Sequence, residues 1–316
     1  MIVTVTANPA LDITYRVDEL HVDAVNRVTA VATRAGGKGL NVARVLRRLN
    51  TEGVEGADVP GIALGLAGGS RGEALRDDLD AAGITHELIR VEAETRRTVA
   101  VVNSRAGTVT LLSEPGARVA GHAWAALRER VRARLPEASV LVLSGSLPPG
   151  LPADAYAVLT TEAGRHGVPV VVDTDGQALS LAVTARPQVV KPNAAELARA
   201  TGLPDLAGGS ARLRRLGAGA VVASDGPAGL VADTPDGRWR AVPPLSAGGN
   251  PTGAGDAAVA AIALGLAKGW DWPRTLVHAA ALSAAAVPAP VAGDVDLVAY
   301  RDNLTRVALL EEPQCR

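Results

Sequence analysis

Short, unbroken apolar runs alternate with stretches of helical spacing along most of this 316-residue chain, and that alternation leaves few folds open. The candidate strands are residues 2–6, 61–67, 139–143, 168–173, 188–190 and 220–223. Between them, residues 40–49, 72–82, 123–135, 153–166 and 194–201 carry apolar positions at helical periodicity. A strand with one wet face alternates polar and apolar residues, and these runs do not, so both faces must be covered. Strands of that kind joined by helices predict an α/β fold: a doubly wound, mainly parallel central sheet flanked by helices. The chain has no Phe and only 2% aromatic residues, yet 47% are hydrophobic. Ala, Val and Leu must therefore fill the core, which favours close packing of helix on sheet.

Two regions break the alternation, residues 12–33 and 96–112. They hold polar-alternating segments such as Ile13-Thr14-Tyr15-Arg16-Val17 and Thr98-Val99-Ala100-Val101-Val102. The expectation is a small, half-exposed sheet inserted as a lid over a core made of residues 1–11, 34–95 and 113–316. Two ordinary surface hairpins would produce the same pattern. No internal repeat is present, and the Ala-rich segment 279–287 reads as a helix.

Charge excludes several classes of function. A net charge of −1 provides no basic field for nucleic acid or an anionic membrane. Arg44, Arg47 and Arg48 read as a solvated helix face. The lone Cys315 allows no disulfide framework and no thiol pair for a metal, and the five histidines lack ligand spacing. Met1-Ile2-Val3-Thr4-Val5 does not resemble a leader, and no apolar run reaches the roughly 18 residues of a membrane span. A cytoplasmic protein is expected.

The chemistry concentrates in two glycine-rich turns. Gly249-Asn250-Pro251-Thr252-Gly253-Ala254-Gly255-Asp256 runs straight into the apolar segment 257–264. Small residues let backbone N–H groups approach a ligand, and a helix behind them makes the turn an anion site. Asp256, an acid at that mouth, suits a general base beside a transferring phosphoryl group, or simply a helix cap. The second turn, Arg34-Ala35-Gly36-Gly37-Lys38-Gly39-Leu40-Asn41, could cradle a sugar or a phosphate. It is no Walker A loop, because Gly39 stands where the Mg²⁺-binding Ser or Thr belongs. Only three lysines occur, and Lys38 and Lys191 of these fall in such segments, which suggests point-charge phosphate contacts.

Together with Asn8-Pro9-Ala10-Leu11-Asp12, Thr95-Arg96, the stretch from Ser144 to Gly150 and Lys191-Pro192-Asn193-Ala194-Ala195-Glu196, these turns occur in a family's order. The chain resembles the ribokinase-like sugar kinases of phosphofructokinase B type over nearly its whole length. The likeness is to the branch of 1-phosphofructokinases, tagatose-6-phosphate kinases and the minor 6-phosphofructokinase. It implies Asp256 as base, with Gly253, Ala254 and Gly255 as the anion hole. It implies Asp12, Gly36, Gly37, Lys38, Asn41, Arg96 and Ser146 around the sugar phosphate, with Arg96 projecting from the lid to grip the phosphate. Lys191, Asn193, Ser224, Gly226 and Gly229 would face ATP, and Asn193 with Glu196 would order Mg²⁺ through water. A homodimer through the lid is implied as well. Against these roles, Asp12 could be a turn acid, Arg96 a surface charge, Asn193 a helix cap and Glu196 a first-turn acid. Asp225, Thr98 and the Pro-rich segment 287–293 depart from the family's pattern.

The resemblance implies an ATP- and Mg²⁺-dependent kinase of fructose 1-phosphate or fructose 6-phosphate, with tagatose 6-phosphate close behind and an unphosphorylated sugar as a further alternative. Two other functions compete with this one. A dinucleotide-dependent oxidoreductase would account for Gly253-Ala254-Gly255, but no clear strand precedes that turn and no acid ends a second strand about 20 residues on. A non-catalytic regulator on the same fold would have no use for Asp256.

Overall fold

In a computed structural model of the chain, residues 1–244, 252–289 and 291–313 are described. Gly249, Asn250 and Pro251 of the late turn, Pro290 and Cys315 lie outside them. The chain opens with β1 (Ile2–Thr6), then β2 (Ala10–Val17) and β3 (Ala30–Gly36). There follow α1 (Lys38–Thr51), β4 (Gly61–Gly68), α2 (Gly69–Ala81), β5 (His86–Val91), β6 (Arg96–Asn103) and β7 (Thr108–Ser113). The middle of the chain runs α3 (Gly121–Arg134), β8 (Val140–Ser144), α4 (Ala155–Arg165), β9 (Val170–Asp173), α5 (Gly176–Thr184), β10 (Val189–Val190) and α6 (Ala194–Thr201). The last third holds α7 (Leu206–Leu216), β11 (Ala220–Ser224), β12 (Leu230–Asp233) and β13 (Arg238–Val242). It closes with α8 (Ala254–Lys268), α9 (Trp272–Ala286), α10 (Leu297–Arg306) and β14 (Ala308–Glu312).

Among the described residues, one sheet runs β14-β13-β12-β11-β10-β9-β8-β1-β4-β5. From β11 to β5 every neighbour is parallel, and β12, β13 and β14 add antiparallel pairs at one edge. Helices cover both faces. Val42, Val45, Leu46, Ala258, Val259, Ile262 and Leu282 pack on one side, Leu127, Val131, Tyr156, Leu159, Leu179 and Leu213 on the other. Successive strand residues divide between the two cores: Val140 and Val142 face α1 and α8, whereas Leu141 and Leu143 face α3 and α4. Both kinds of position are dry, which is why these strands show no polar alternation. Small side chains let α8 sink in deeply, and residues 256–265 of it are all buried.

The expected strands and helices are present, with ends shifted by a few residues. β8 runs one residue past its expected end to take in Ser144, and α3 stops at Arg134, where a short 3-10 turn carrying Pro136 follows. The reading did not isolate β5, β12, β13, β14, α5, α7 or α10. β5 and β14 are the two edge strands of the sheet, and like β13 they carry charged residues that interrupt any continuous apolar signal.

A second sheet, β3-β2-β6-β7, leaves the core at the carboxyl end of β1. Its register pairs Asp12 with Arg34 and with Thr98, and Ala100 with Leu111. Strand alternation therefore gives it an inner face of Asp12, Thr14, Arg34, Thr98, Ala100 and Leu111. Its outer face holds Ile13, Tyr15, Val31, Val99, Val101 and Leu112.

Candidate active site

The head of α8 supplies the first part of the site. Gly253 takes φ +93°, a left-handed turn that a side chain would strain, and it lets the chain bend sharply into the helix. The N-cap Gly253 offers no capping side chain, and the first N–H groups of the helix, including those of Ala254 and Gly255, stand at the positive end of the helix dipole. Asp256 is not the cap. It lies inside the first turn, 6% exposed, where its Oδ2 accepts a 2.7 Å bond from Asn41 Nδ2 of α1. Burial, and then the neighbouring Asp173, raise its pKa to about 7, against the opposing pull of Lys38, Asn41 and Lys191.

Asp173 ends β9, and the sequence reading gave it no role. It is 1% exposed. Its Oδ1 lies 3.1 Å from Lys38 Nζ and 3.6 Å from Lys191 Nζ, and its Oδ2 accepts from Ser144 Oγ at 3.2 Å. Burial pushes the carboxyl up, but Lys191 and Lys38 outweigh that and hold it below the usual range. Burial likewise draws Lys38 down, yet Asp173, Glu196 and Asp256 keep its ammonium above the ordinary lysine value. The available signal was an acid closing an all-valine strand, since parallel sheets place ligands beyond the carboxyl ends of their strands.

Asn193 and Glu196 form a reciprocal capping box on α6, each side chain bonded at 2.8 Å to the other's backbone N–H. The helix-cap role of this pair is therefore real. Glu196 still turns its other oxygen, Oε1, to 3.8 Å from Lys38 Nζ. Lys191 is buried, and a Cβ on Gly255 would stand 3.3 Å from its Nζ, so α8 and β10 meet there. Ser224 forms a bridge with Asn193, and Gly226 and Gly229 bracket the turn that follows β11. Asp225, the carboxylate that departs from the family's pattern, is paired with Arg240 at 3.2 Å.

On the second sheet, Asp12 packs against Gly36 so closely that any Cβ there would overlap the carboxylate. Burial lifts the Asp12 pKa to about 6, while Arg96 and a hydrogen bond from Thr98 restrain it. Thr98 thus has a partner of its own. Arg96, expected to project from the lid and grip the substrate phosphate, is tied to the root of the sheet. Its Nε donates to Asn8 O at 3.1 Å, and its Nη1 to Ser113 Oγ and Glu114 O at 2.9 and 3.0 Å. Ser146 Oγ accepts from Asn8 Nδ2 at 3.0 Å. The inner face and the loops ahead of α8 and α10 border an open cleft, lined by Asp12, Arg34, Thr98, Thr252, Val291 and Ala292 among others. Gly37 and Lys38 lead from that sheet into α1.

No group of three or more His, Cys, Asp or Glu among the described residues is arranged to hold a metal ion directly. Asp173 and Glu196 instead flank one cation, Lys38, a donor set suited to a hydrated ion shared with a phosphate chain. No helix among the described residues is long and apolar enough to cross a membrane.

Comparisons with known proteins bear on this arrangement. The family model for the pfkB family carbohydrate kinases matches residues 5–295. Phosphofructokinase-2 from Escherichia coli, solved in complex with potassium, is 28% identical over 96% of this chain and 98% of its own, with a TM-score of 0.88. A Thermotoga maritima protein described as a possible 1-phosphofructokinase is 25% identical over 99% of this chain and 100% of its own, with a TM-score of 0.87. Arabidopsis thaliana ribokinase shares the fold at 22% identity, with a TM-score of 0.73 over 96% of this chain and 98% of its own.

Proposed function

The chain belongs to the pfkB family of carbohydrate kinases, and on that premise we propose that it transfers the γ-phosphoryl group of ATP to a ketohexose phosphate. The acceptor is fructose 1-phosphate or fructose 6-phosphate, and the product is fructose 1,6-bisphosphate. The names of the similar structures, phosphofructokinase-2 and 1-phosphofructokinase, support that choice. The observation that carries the reading is the buried Asp256, held by Asn41 and poised to titrate at about 7 beside a helix N-terminus.

Asp256 takes the proton of the attacking hydroxymethyl group at Oδ1 or Oδ2, and its raised pKa makes it a competent base near neutral pH. The Gly253, Ala254 and Gly255 amides steady the equatorial oxygens of the transferring group. Asp12, with Gly36, Gly37 and Asn41, orients the sugar hydroxyls. Arg96 adds positive charge beside Asp12, and its Nη2 takes part in none of the bonds that tie it down. Lys38 and Lys191 bring ammonium groups to the phosphate chain, with Asn193, Ser224, Gly226 and Gly229 along the nucleotide. Mg²⁺, held through water by Asn193 and Glu196 beside Asp173, would neutralise charge on the nucleotide phosphates. The smaller sheet acts as a lid that keeps water out of the cleft. Its apolar outer face pairs two copies of the chain into a homodimer.

The test is ADP release with Mg-ATP across fructose 1-phosphate, fructose 6-phosphate, tagatose 6-phosphate, fructose and ribose. One of the two fructose phosphates is expected to be turned over well above the others. Turnover confined to free sugars would overturn the sugar-phosphate reading, and a preference for tagatose 6-phosphate would replace its acceptor.

A further inference from the structure

The cleft under the second sheet contains one charged donor that the rest of the chain leaves unused. Arg34 is the only basic residue among the described residues that line it, and strand pairing sets it opposite Asp12 on the same inner face. Its guanidinium makes no side-chain hydrogen bond among the described residues, and its Nη1 is sealed from solvent without a partner. Among the described residues, the one carboxylate within ion-pair reach is Asp294, whose Oδ2 stands 4.0 Å from Nη2. Arg44, the neighbouring cation on α1, is already committed to Asp78.

A guanidinium half withdrawn from water with no acceptor is costly, and such a group calls for an explanation. The contact with Asp294 does not provide one. At 4.0 Å, between side chains 28% and 32% exposed, it contributes little. Burial and the charge of Arg44 depress the Arg34 pKa, yet a guanidinium stays protonated under any working condition. What the site lacks is an acceptor that carries negative charge and can receive two parallel N–H donors.

We propose that Arg34 is a specificity-determining residue whose guanidinium binds the phosphate ester of the acceptor sugar. This rests on the sugar-phosphate reading above. Asp12 recognises the neutral hydroxyls of the sugar, and Arg34 recognises its dianion, so the pair on one cross-strand rung sorts phosphorylated from unphosphorylated acceptors. A phosphate ester matches the planar fork of arginine in a bidentate way, whereas a hydroxyl offers neither the charge nor the second acceptor. Asp294 competes with the ligand for the same guanidinium and does not serve as its structural partner.

The experiment compares the full-length wild type with Arg34→Met, Arg34→Lys and Asp294→Asn. It measures KM for the better fructose phosphate, KM for ATP, and the rise in melting temperature that each ligand produces. Arg34→Met should raise KM for the fructose phosphate about 10- to 100-fold, as loss of a charged hydrogen-bond donor does. KM for ATP should hold, and the thermal shift from the sugar phosphate should vanish while that from Mg-ADP remains. Arg34→Lys should recover part of the loss, and it carries the test if Arg34→Met does not fold. Asp294→Asn should leave KM for the fructose phosphate unchanged or lower it. Equal effects on both substrates, or the same damage from Asp294→Asn, would show a structural tie and overturn the proposal. Turnover of a fructose phosphate that is unmoved by Arg34→Met overturns this inference alone. Activity restricted to free sugars overturns it together with the acceptor reading.

Discussion

At the scale of single residues, the site depends on a carboxylate kept in an expensive place. Asp256 is buried against a like charge, Asp173, and only Lys38, Lys191 and Asn41 offset the strain on its ionised form. Two consequences have opposite signs. Asp256→Asn should cut turnover about 100- to 10,000-fold while sugar binding persists, as loss of a general base does. Wild-type turnover in that variant would remove Asp256 from the mechanism. In the wild type, kcat/KM should fall as pH drops below about 7, because the base must be deprotonated to act. The same variant should melt higher than the wild type at neutral pH. The folded-state pKa lies above the ordinary 3.8, so the wild type loses folding stability as pH rises from 3.8 to about 7. The thermal advantage of Asp256→Asn should therefore grow over that window, and differential scanning calorimetry at several pH values would follow it. A constant advantage at every pH would assign the effect to packing.

Elements set the reach of these side chains. β9 presents Asp173 to the bases of α1 and β10, and α6 presents Glu196 from its first turn. The capping box gives α6 a dual character, since the bonds that start the helix also aim Glu196 Oε1 toward Lys38. Asn193→Ala should cost about 1 kcal/mol of stability, the usual loss on removing a cap. It should also raise KM for Mg-ATP, because the Glu196 N–H loses its acceptor, Asn193 Oδ1, and the first turn that orients Glu196 loosens. Asn193→Ser keeps a capping oxygen and should restore both the melting temperature and KM. Recovery of the melting temperature without KM would mean that the Asn193 amide itself meets the nucleotide. The sequence motif was legible here because a capping box is written within four residues. Asp173 was not, since its partners Lys38 and Lys191 lie 135 and 18 residues away along the chain.

For the whole molecule, the second sheet is the part whose purpose the isolated chain leaves half-fulfilled. Its inner face closes a cleft, while Val31 and Leu112 on the outer face remain 61% and 60% exposed. A second copy laid across that face would bury the apolar stripe and protect the sheet's edges. Sedimentation should report twice the 32.1-kDa chain mass for the wild type and a single chain for Val31→Asp combined with Leu112→Asp. A monomeric wild type would refute the pairing. The sequence by itself determined the layered α/β core, because runs dry on both faces can only be central strands under crossover helices. It also determined the kinase family, since the two glycine turns and the segments between them are local and come in a fixed order. Tertiary structure alone decided which groups share charge. Asp256 meets Asn41 across 215 residues, Arg96 turns back to the root of its sheet, and Arg34 Nη1 is left without a hydrogen-bond partner among the described residues. Those pairings depend on distances in space that no local pattern records, and electrostatic energy depends on distance and burial alone.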